Sequence, residues 1–199
     1  MDEKTARWYV DRYGEHVSQA LTLEVAQLKT GHVVVDVGCG SGHAARLAAA
    51  LVRPGRVVGI DPSLAMVRIA RELTAGHPEG DLVEFHEGSA ESIPMEGDAA
   101  TIALAINSVH HWQDLGRGLA EVLRVLAPGG RLIVSEEHVR GGRFGHGHGP
   151  AAKPGFVAGA MGDAGFRDVR VEKHFGETDA ILYVVGYKAE APSSTGDGN

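Results

Sequence analysis

Residues 33–44 read VVVDVGCGSGHA, a β-branched run that drives straight into three alternating glycines. Apolar residues on consecutive positions mark a strand buried on both faces, and such strands belong to parallel sheets covered by helices. Glycines directly behind the strand let a ligand approach the backbone. The N–H groups that open a following helix can then hold it. The stretch therefore implies both a fold class and a ligand site. It leaves open whether the ligand is a dinucleotide, a phosphate group or a molecule without phosphate.

The rest of the chain repeats the theme. After two helices, 3–13 and one with Val17, Leu21, Val25 and Leu28 on its expected buried face, Gly31 can end the second and the strand above begins. A helix over 41–52 closes at Pro54-Gly55, and RVVGID is a second buried strand. Pro62 and Ser63 open a helix striped by Met66, Ile69, Ala70 and Leu73. DLVEFHEG and AATIALAI are further strands, and a helix striped by Leu115, Leu119, Val122, Leu123 and Leu126 stops at Pro128-Gly129-Gly130 before the strand RLIVSEE. Strand–helix alternation predicts right-handed crossovers in a parallel sheet. The last two apolar runs, DVRVEKHF and AILYVVGY, follow a helix near 155–164 and are separated by GETD alone, too short for a crossover. The expected fold is thus α/β: a Rossmann-like seven-stranded, mostly parallel sheet with helices on both faces, its last two strands an antiparallel hairpin. Residues 1–188 are expected to form one domain, with 1–30 as cap helices and 138–155 as a lid. The polar tail 189–199 is expected to be disordered.

Composition narrows the partners. A net charge of −7 disfavours a phosphate backbone, so nucleic acid is not the expected partner. No apolar run is long enough for a membrane span, and the charged start MDEKTARWYV lacks a signal core, so a cytoplasmic location is expected. The single cysteine, Cys39, excludes an intrachain disulfide.

The loop itself rejects two ligands. No Lys-Ser or Lys-Thr pair follows the glycines, so the phosphate loop is absent. The dinucleotide fingerprint needs a third small residue where this chain has His43. What remains is D-x-G-x-G-x-G from Asp36 to Gly42. With VVGIDPS, EGSAESIP, AINSVHHW and APGGRLIV in order behind it, the chain resembles the class I S-adenosylmethionine-dependent methyltransferases. Within them it is most similar to the small-molecule branch of ubiquinone and menaquinone biosynthesis enzymes, strongly over about residues 30–135. The resemblance implies S-adenosyl-L-methionine as donor, with S-adenosyl-L-homocysteine as product. It implies that Gly38, Cys39, Gly40 and Gly42 line the methionine part, that Asp36 orients that end, and that Asp61 accepts from both ribose hydroxyls. Pro62 and Met66 resemble residues that pack near the adenine. Ser89 stands where the family has an acceptor carboxylate, and Ala90 would offer its N–H to the ring. Ile106 and Asn107 border donor and acceptor. Each also has a plainer reading: Asp36 and Asp61 as caps, Met66 as core, Ser89 as a turn residue.

The acceptor is less defined. A small molecule is expected, by in-line displacement, in a monomer or homodimer. The [ND]-P-P-[YF] motif for planar nitrogens is replaced by Asn107-Ser108-Val109-His110, and a pyrimidine-type cysteine nucleophile is missing there. His110, His111 and His138 follow strands four and five and are candidate bases, or turn residues. GGRFGHGHGP, residues 141–150, suggests a flexible lid; His146 and His148 without a third ligand do not make a metal site, so none is expected. Arg140, Arg143 and Lys153 could meet an acidic substrate, and Trp8, Tyr9 and Tyr13 could close over the donor or anchor their helix. The rival readings are an NAD-dependent oxidoreductase, a donor-binding module without turnover, and a protein or RNA methyltransferase.

Overall fold

A computed structural model describes residues 1–139, 153–175 and 179–192. In chain order it contains α1 (Glu3–Tyr13), α2 (Val17–Ala26), β1 (Val33–Val37), α3 (His43–Val52), β2 (Arg56–Asp61), α4 (Leu64–Thr74), β3 (Val83–Glu87), β4 (Ala100–Ile106), α5 (Leu115–Val125), β5 (Leu126–Val139), α6 (Pro154–Ala164), β6 (Arg167–Phe175) and β7 (Asp179–Tyr187). The sheet order is β3-β2-β1-β4-β5-β7-β6. The first five strands pair in parallel, and β7 runs antiparallel to both β5 and β6. The expected architecture, with a single reversed strand near its end, is what the chain adopts.

Strand alternation divides the core. Val34, Ile102 and Ile133 face Leu23, Ala45, Ala48, Ala49 and Val67 of α2, α3 and α4. Val35, Ala103, Leu132 and Val134 face Leu119, Val122, Val157 and Met161 of α5 and α6. The chain leaves β1 toward one edge and returns to β4 on the other side. The β1–β4 boundary is therefore the switch point where open α/β sheets bind ligands.

Several local expectations need correction. The deep face of α2 is Ser18, Thr22, Leu23 and Ala26, whereas Val17 is 62% exposed. Leu21, Val25 and Leu28 pack half-buried against the core as expected, while small hydroxyl residues, which carry no hydrophobic signal, occupy the closest approach. Thr22 Oγ1 donates to Ser135 Oγ at 2.8 Å across that contact. Gln27, at φ 45°, ends α2; Gly31, at φ 84°, serves the turn into β1 instead. On α4, Leu73 is 46% exposed and Thr74 is buried, its hydroxyl accepting from the guanidinium of the buried Arg46. Strand β5 extends beyond the expected run at both ends and shifts register opposite Ala100 and Ile102. The segment expected as a lid at 138–155 begins as strand, with His138 opposite Ala180, and ends as the start of α6. Between them Arg140, Arg143, His146 and His148 lie outside the described residues, as does the tail from 193.

Candidate active site

The glycine loop folds by backbone constraint. Gly38, Gly40 and Gly42 have φ of 81°, 53° and 74°, a region that side chains disfavour. Gly38 and Cys39 both donate their N–H to Ile60 O, at 2.8 and 3.0 Å, which ties the loop to the end of β2. A Cβ on Gly38 would sit 2.5 Å from Ser108 Cβ, and one on Gly42 would sit 2.4 Å from the Phe85 ring. A Cβ on Gly40 would meet nothing within 4 Å. The first and third glycines thus make room for the protein, while the space over the second is open to a ligand.

Two carboxylates flank that space. Asp61, at the end of β2, accepts from Gly40 N–H at 2.9 Å and from Ser63 N–H at 2.8 Å. Burial raises its pKa, partly offset by those two bonds. Asp36 is 2% exposed, and its Oδ2 is buried without a hydrogen-bond partner. Burial, helped by the Asp61 charge, pushes its pKa up to about 7. An orphaned buried oxygen calls for a partner, since leaving it unmade costs about 1–3 kcal/mol. Both features suit a cationic, hydrogen-bonding guest. Cys39 is buried beside these acids, and burial together with their charge pushes its thiol well up, which makes it a poor nucleophile.

The other expected donor contacts are spread around the rim. Pro62 is exposed and available. Met66 is buried with Ala6 and Ile69 against Tyr9 and Val10 of α1, so its packing partner is the cap helix. Ser89 is half-buried and pairs with Ser92, and Ala90 is buried. A hydroxyl there has acceptor capacity as well as a proton to give. Ile106 is half-buried at the end of β4. Asn107, at φ 49°, uses its side chain as a brace: Nδ2 donates to Ser18 Oγ at 3.3 Å and Oδ1 accepts from Glu137 N–H at 2.8 Å.

Helix α1 packs on α4, and the turn after it meets the glycine loop. Arg7 pairs with Glu72 of α4 at 2.8 Å and Ser41 of the loop donates to Gly14 O at 3.4 Å. Burial raises the Tyr9 phenol pKa, with smaller contributions from the Tyr13 and Asp61 charges. Trp8 is 58% exposed and meets Tyr13 edge-on at 6.3 Å, so it does not anchor the helix in the core.

Beyond β4, a short 3-10 turn carries Val109–His111. His110 Nδ1 lies 2.8 Å from Glu136 Oε2, with both side chains nearly out of solvent. The His111 ring meets His110 at a tilt of 48°, with centroids 4.0 Å apart, and is itself exposed. His138 is placed on β5, opposite Ala180. The next acid, Glu137, meets His16 Nδ1 at 2.6 Å on the other face of the sheet. The motif reading missed Glu136, Glu137, His16 and Ser18. The only available signal was the acidic pair in SEEHV at a strand end. Among the described residues no cluster of three metal-ligating side chains occurs, and no helix is long and apolar enough to cross a membrane.

Comparison with known proteins bears on the family and the fold. The family described as Methyltransferase domain matches residues 35–134. A demethylmenaquinone methyltransferase of Symbiobacterium thermophilum is 36% identical over 120 residues, 58% of this chain and 47% of that protein. The chain spans about half the length of the curated relatives it matches. A SAM-dependent methyltransferase from Aquifex aeolicus superposes with a TM-score of 0.74 at 23% identity, covering 93% of this chain and 98% of that one. The [4+2]-cyclase SpnF superposes at 0.71, also at 23% identity, over 87% and 82%. The last two likenesses establish the fold alone, and SpnF shows that one fold hosts different activities.

Proposed function

The chain belongs to the methyltransferase domain family, and from that premise we propose that it transfers the methyl group of S-adenosylmethionine to a small-molecule acceptor. The observation that carries the reading is the pairing of open space over Gly40 with the unpartnered, buried Oδ2 of Asp36. A methionine ammonium supplies the charge that this oxygen lacks, and a Gly40 without a side chain lets the tail lie on the loop. Asp61 faces the ribose and has lone pairs beyond the two used by Gly40 and Ser63. Pro62, Ser89 and Ala90 frame the adenine.

The donor, when bound, supplies a sulfonium methyl that is already a strong electrophile. The protein's part is to align and desolvate. Gly38 lets β1 and the Ser108 turn approach each other, so loop and acceptor side share one wall. Helix α1 covers the β2 end and excludes water. We place the protein in the cytoplasm as a monomer or homodimer, with residues 1–188 as one unit, 1–30 covering the donor and the segment after β5 closing the acceptor side. The acidic surface and the missing planar-nitrogen motif favour a small molecule over protein or RNA.

Calorimetry decides the donor. S-adenosylhomocysteine is expected to bind at micromolar Kd and NAD not at all; the reverse would sink the proposal. A radiolabelled-methyl assay across a broad acceptor panel decides turnover. Tight donor binding with no transfer to any acceptor would leave a binding module.

A further inference from the structure

We propose that the cleft beneath the turn between α1 and α2 is a second ligand site, separate from the donor's, which binds a small organic monocarboxylate on the guanidinium of Arg46. The cleft holds about 320 Å³, and its walls include Arg46, Ser41, Val10 and Leu73. A buried charge with half of its bonds unmade carries this. Arg46, on α3, is 8% exposed. Both of its hydrogen bonds leave from Nη1, to Ser41 O at 2.8 Å and to Thr74 Oγ1 at 3.3 Å, and both acceptors are neutral. The edge formed by Nε and Nη2 has no acceptor among the described residues. That edge presents two parallel N–H bonds, the fork that matches the two oxygens of a carboxylate. A guanidinium does not shed its proton, so the buried charge has to be met by an anion or left costly.

The surroundings select the ligand. Burial lowers the Arg46 pKa, and the Glu15 charge opposes that. Yet the Glu15 side chain is 80% exposed and meets His43 Nδ1 at 3.7 Å, so it stands at the rim and leaves the edge open. Asp11 is exposed at the same rim. Two acids there oppose a second negative charge, which disfavours a phosphate dianion and admits a carboxylate. Arg12 adds no buried cation, because it is exposed and its Cζ lies 5.7 Å over the Tyr13 ring. Val10 and Leu73 offer a short hydrocarbon tail an apolar wall. The donor side is electrostatically apart: Asp36 feels the charge of Asp61, whereas the charges on Arg46 come from Glu15 and Cys39. The cleft joins α1, α3 and α4, so an occupant ties the first helix to the layer beneath it.

The test titrates the ¹⁵N-labelled full chain with sodium butyrate at an ionic strength held constant with sodium chloride. The Arg46 Nε–H resonance, identified by its loss in Arg46→Lys, should shift saturably with a Kd on the order of 1–10 mM. No saturable shift would overturn the proposal. Inorganic phosphate should bind at least about tenfold more weakly; an equal response to it would mean an adventitious ion only, and overturn the proposal too. Saturating S-adenosylhomocysteine should leave the butyrate shift in place, and its loss would put the carboxylate in the donor site instead. Arg46→Lys keeps the charge and loses the fork. Followed at the Gly14 amide, it should bind butyrate at least about tenfold more weakly, and unchanged binding would refute the role of the guanidinium. A second variant avoids the buried position. Glu15→Gln removes an exposed rim charge and should tighten butyrate binding about threefold to tenfold; no change would count against the site. Binding by Glu15→Gln with none by the wild type would assign the Arg46 edge to Glu15 and overturn the proposal as well.

Discussion

The ends of β1 and β2 and the ends of β4 and β5 line the same cleft and are built by different means. On the first side the contacts are backbone to backbone or backbone to carboxylate, between residues that follow one motif: Gly38 and Cys39 on Ile60 O, Gly40 on Asp61. On the second side they are side chain to side chain, between residues far apart in sequence: Asn107 with Ser18, His110 with Glu136, His16 with Glu137. The contrast teaches that a ligand common to a family can be met by main-chain geometry. A ligand peculiar to one member is met by side chains that can be exchanged singly.

The strongest way to break that contrast is in the loop. Gly38→Ala should lose both fold stability and donor binding, because its Cβ would collide with Ser108 at 2.5 Å. Gly40→Ala should keep the fold, paying about 1–2 kcal/mol for its φ, yet weaken S-adenosylhomocysteine binding by about 100-fold. Calorimetry and thermal melts separate the two, and normal binding by Gly40→Ala would show that the open space is not the ligand's. Next in size is the brace. Asn107→Ala leaves the half-buried Glu137 N–H without its acceptor and places alanine at φ 49°, for an expected loss of about 2–3 kcal/mol in urea unfolding. Asn107→Gly should recover about 1 kcal/mol of it; no difference between the two would remove the backbone contribution.

Asp36 offers a pH test of the donor side. Its folded value of about 7 lies above its ordinary 3.8, so the native chain holds a proton that the unfolded chain releases over that interval. Stability from this group is therefore present at about pH 4 and withdrawn as pH rises through about 7. Asp36→Asn should melt like the wild type at pH 4 and higher than it at pH 8, while binding S-adenosylhomocysteine about tenfold or more weakly at pH 8. A variant no more stable at pH 8 would show that the carboxylate has an unseen partner. The smallest effect is expected at Arg7, whose exposed pairs with Glu3 and Glu72 should contribute no resolvable change in Tm when it becomes alanine.

The same contrast explains what could be read from sequence. The sheet, its reversed strand and the loop follow from apolar runs and glycines, whose physics is local. Asp61 was found because its distance from the glycines is fixed by one strand–helix–strand unit. Glu136 was invisible because its partner is 26 residues away and no spacing rule joins a 3-10 turn to the neighbouring strand. The expected α2 face took in Leu21, Val25 and Leu28 but not Ser18 and Thr22, which take their places through hydroxyl bonds that hydrophobic periodicity does not register. Met66 had two readings, and the cap helix that decides its surroundings is contributed by residues 60 positions earlier, around Ala6.

Glu136 and Glu137 are neighbours on one strand, and a strand sends neighbours to opposite sides. Each has its own histidine, His110 in the turn after β4 and His16 at the start of α2. The strand end therefore behaves like a reading frame. A substitution alters one letter, whereas inserting or deleting a single residue in β5 before Glu136 would turn both acids to the wrong faces and break both pairs at once. Diversity among chains built this way should accumulate after Val139, where added length leaves the frame intact.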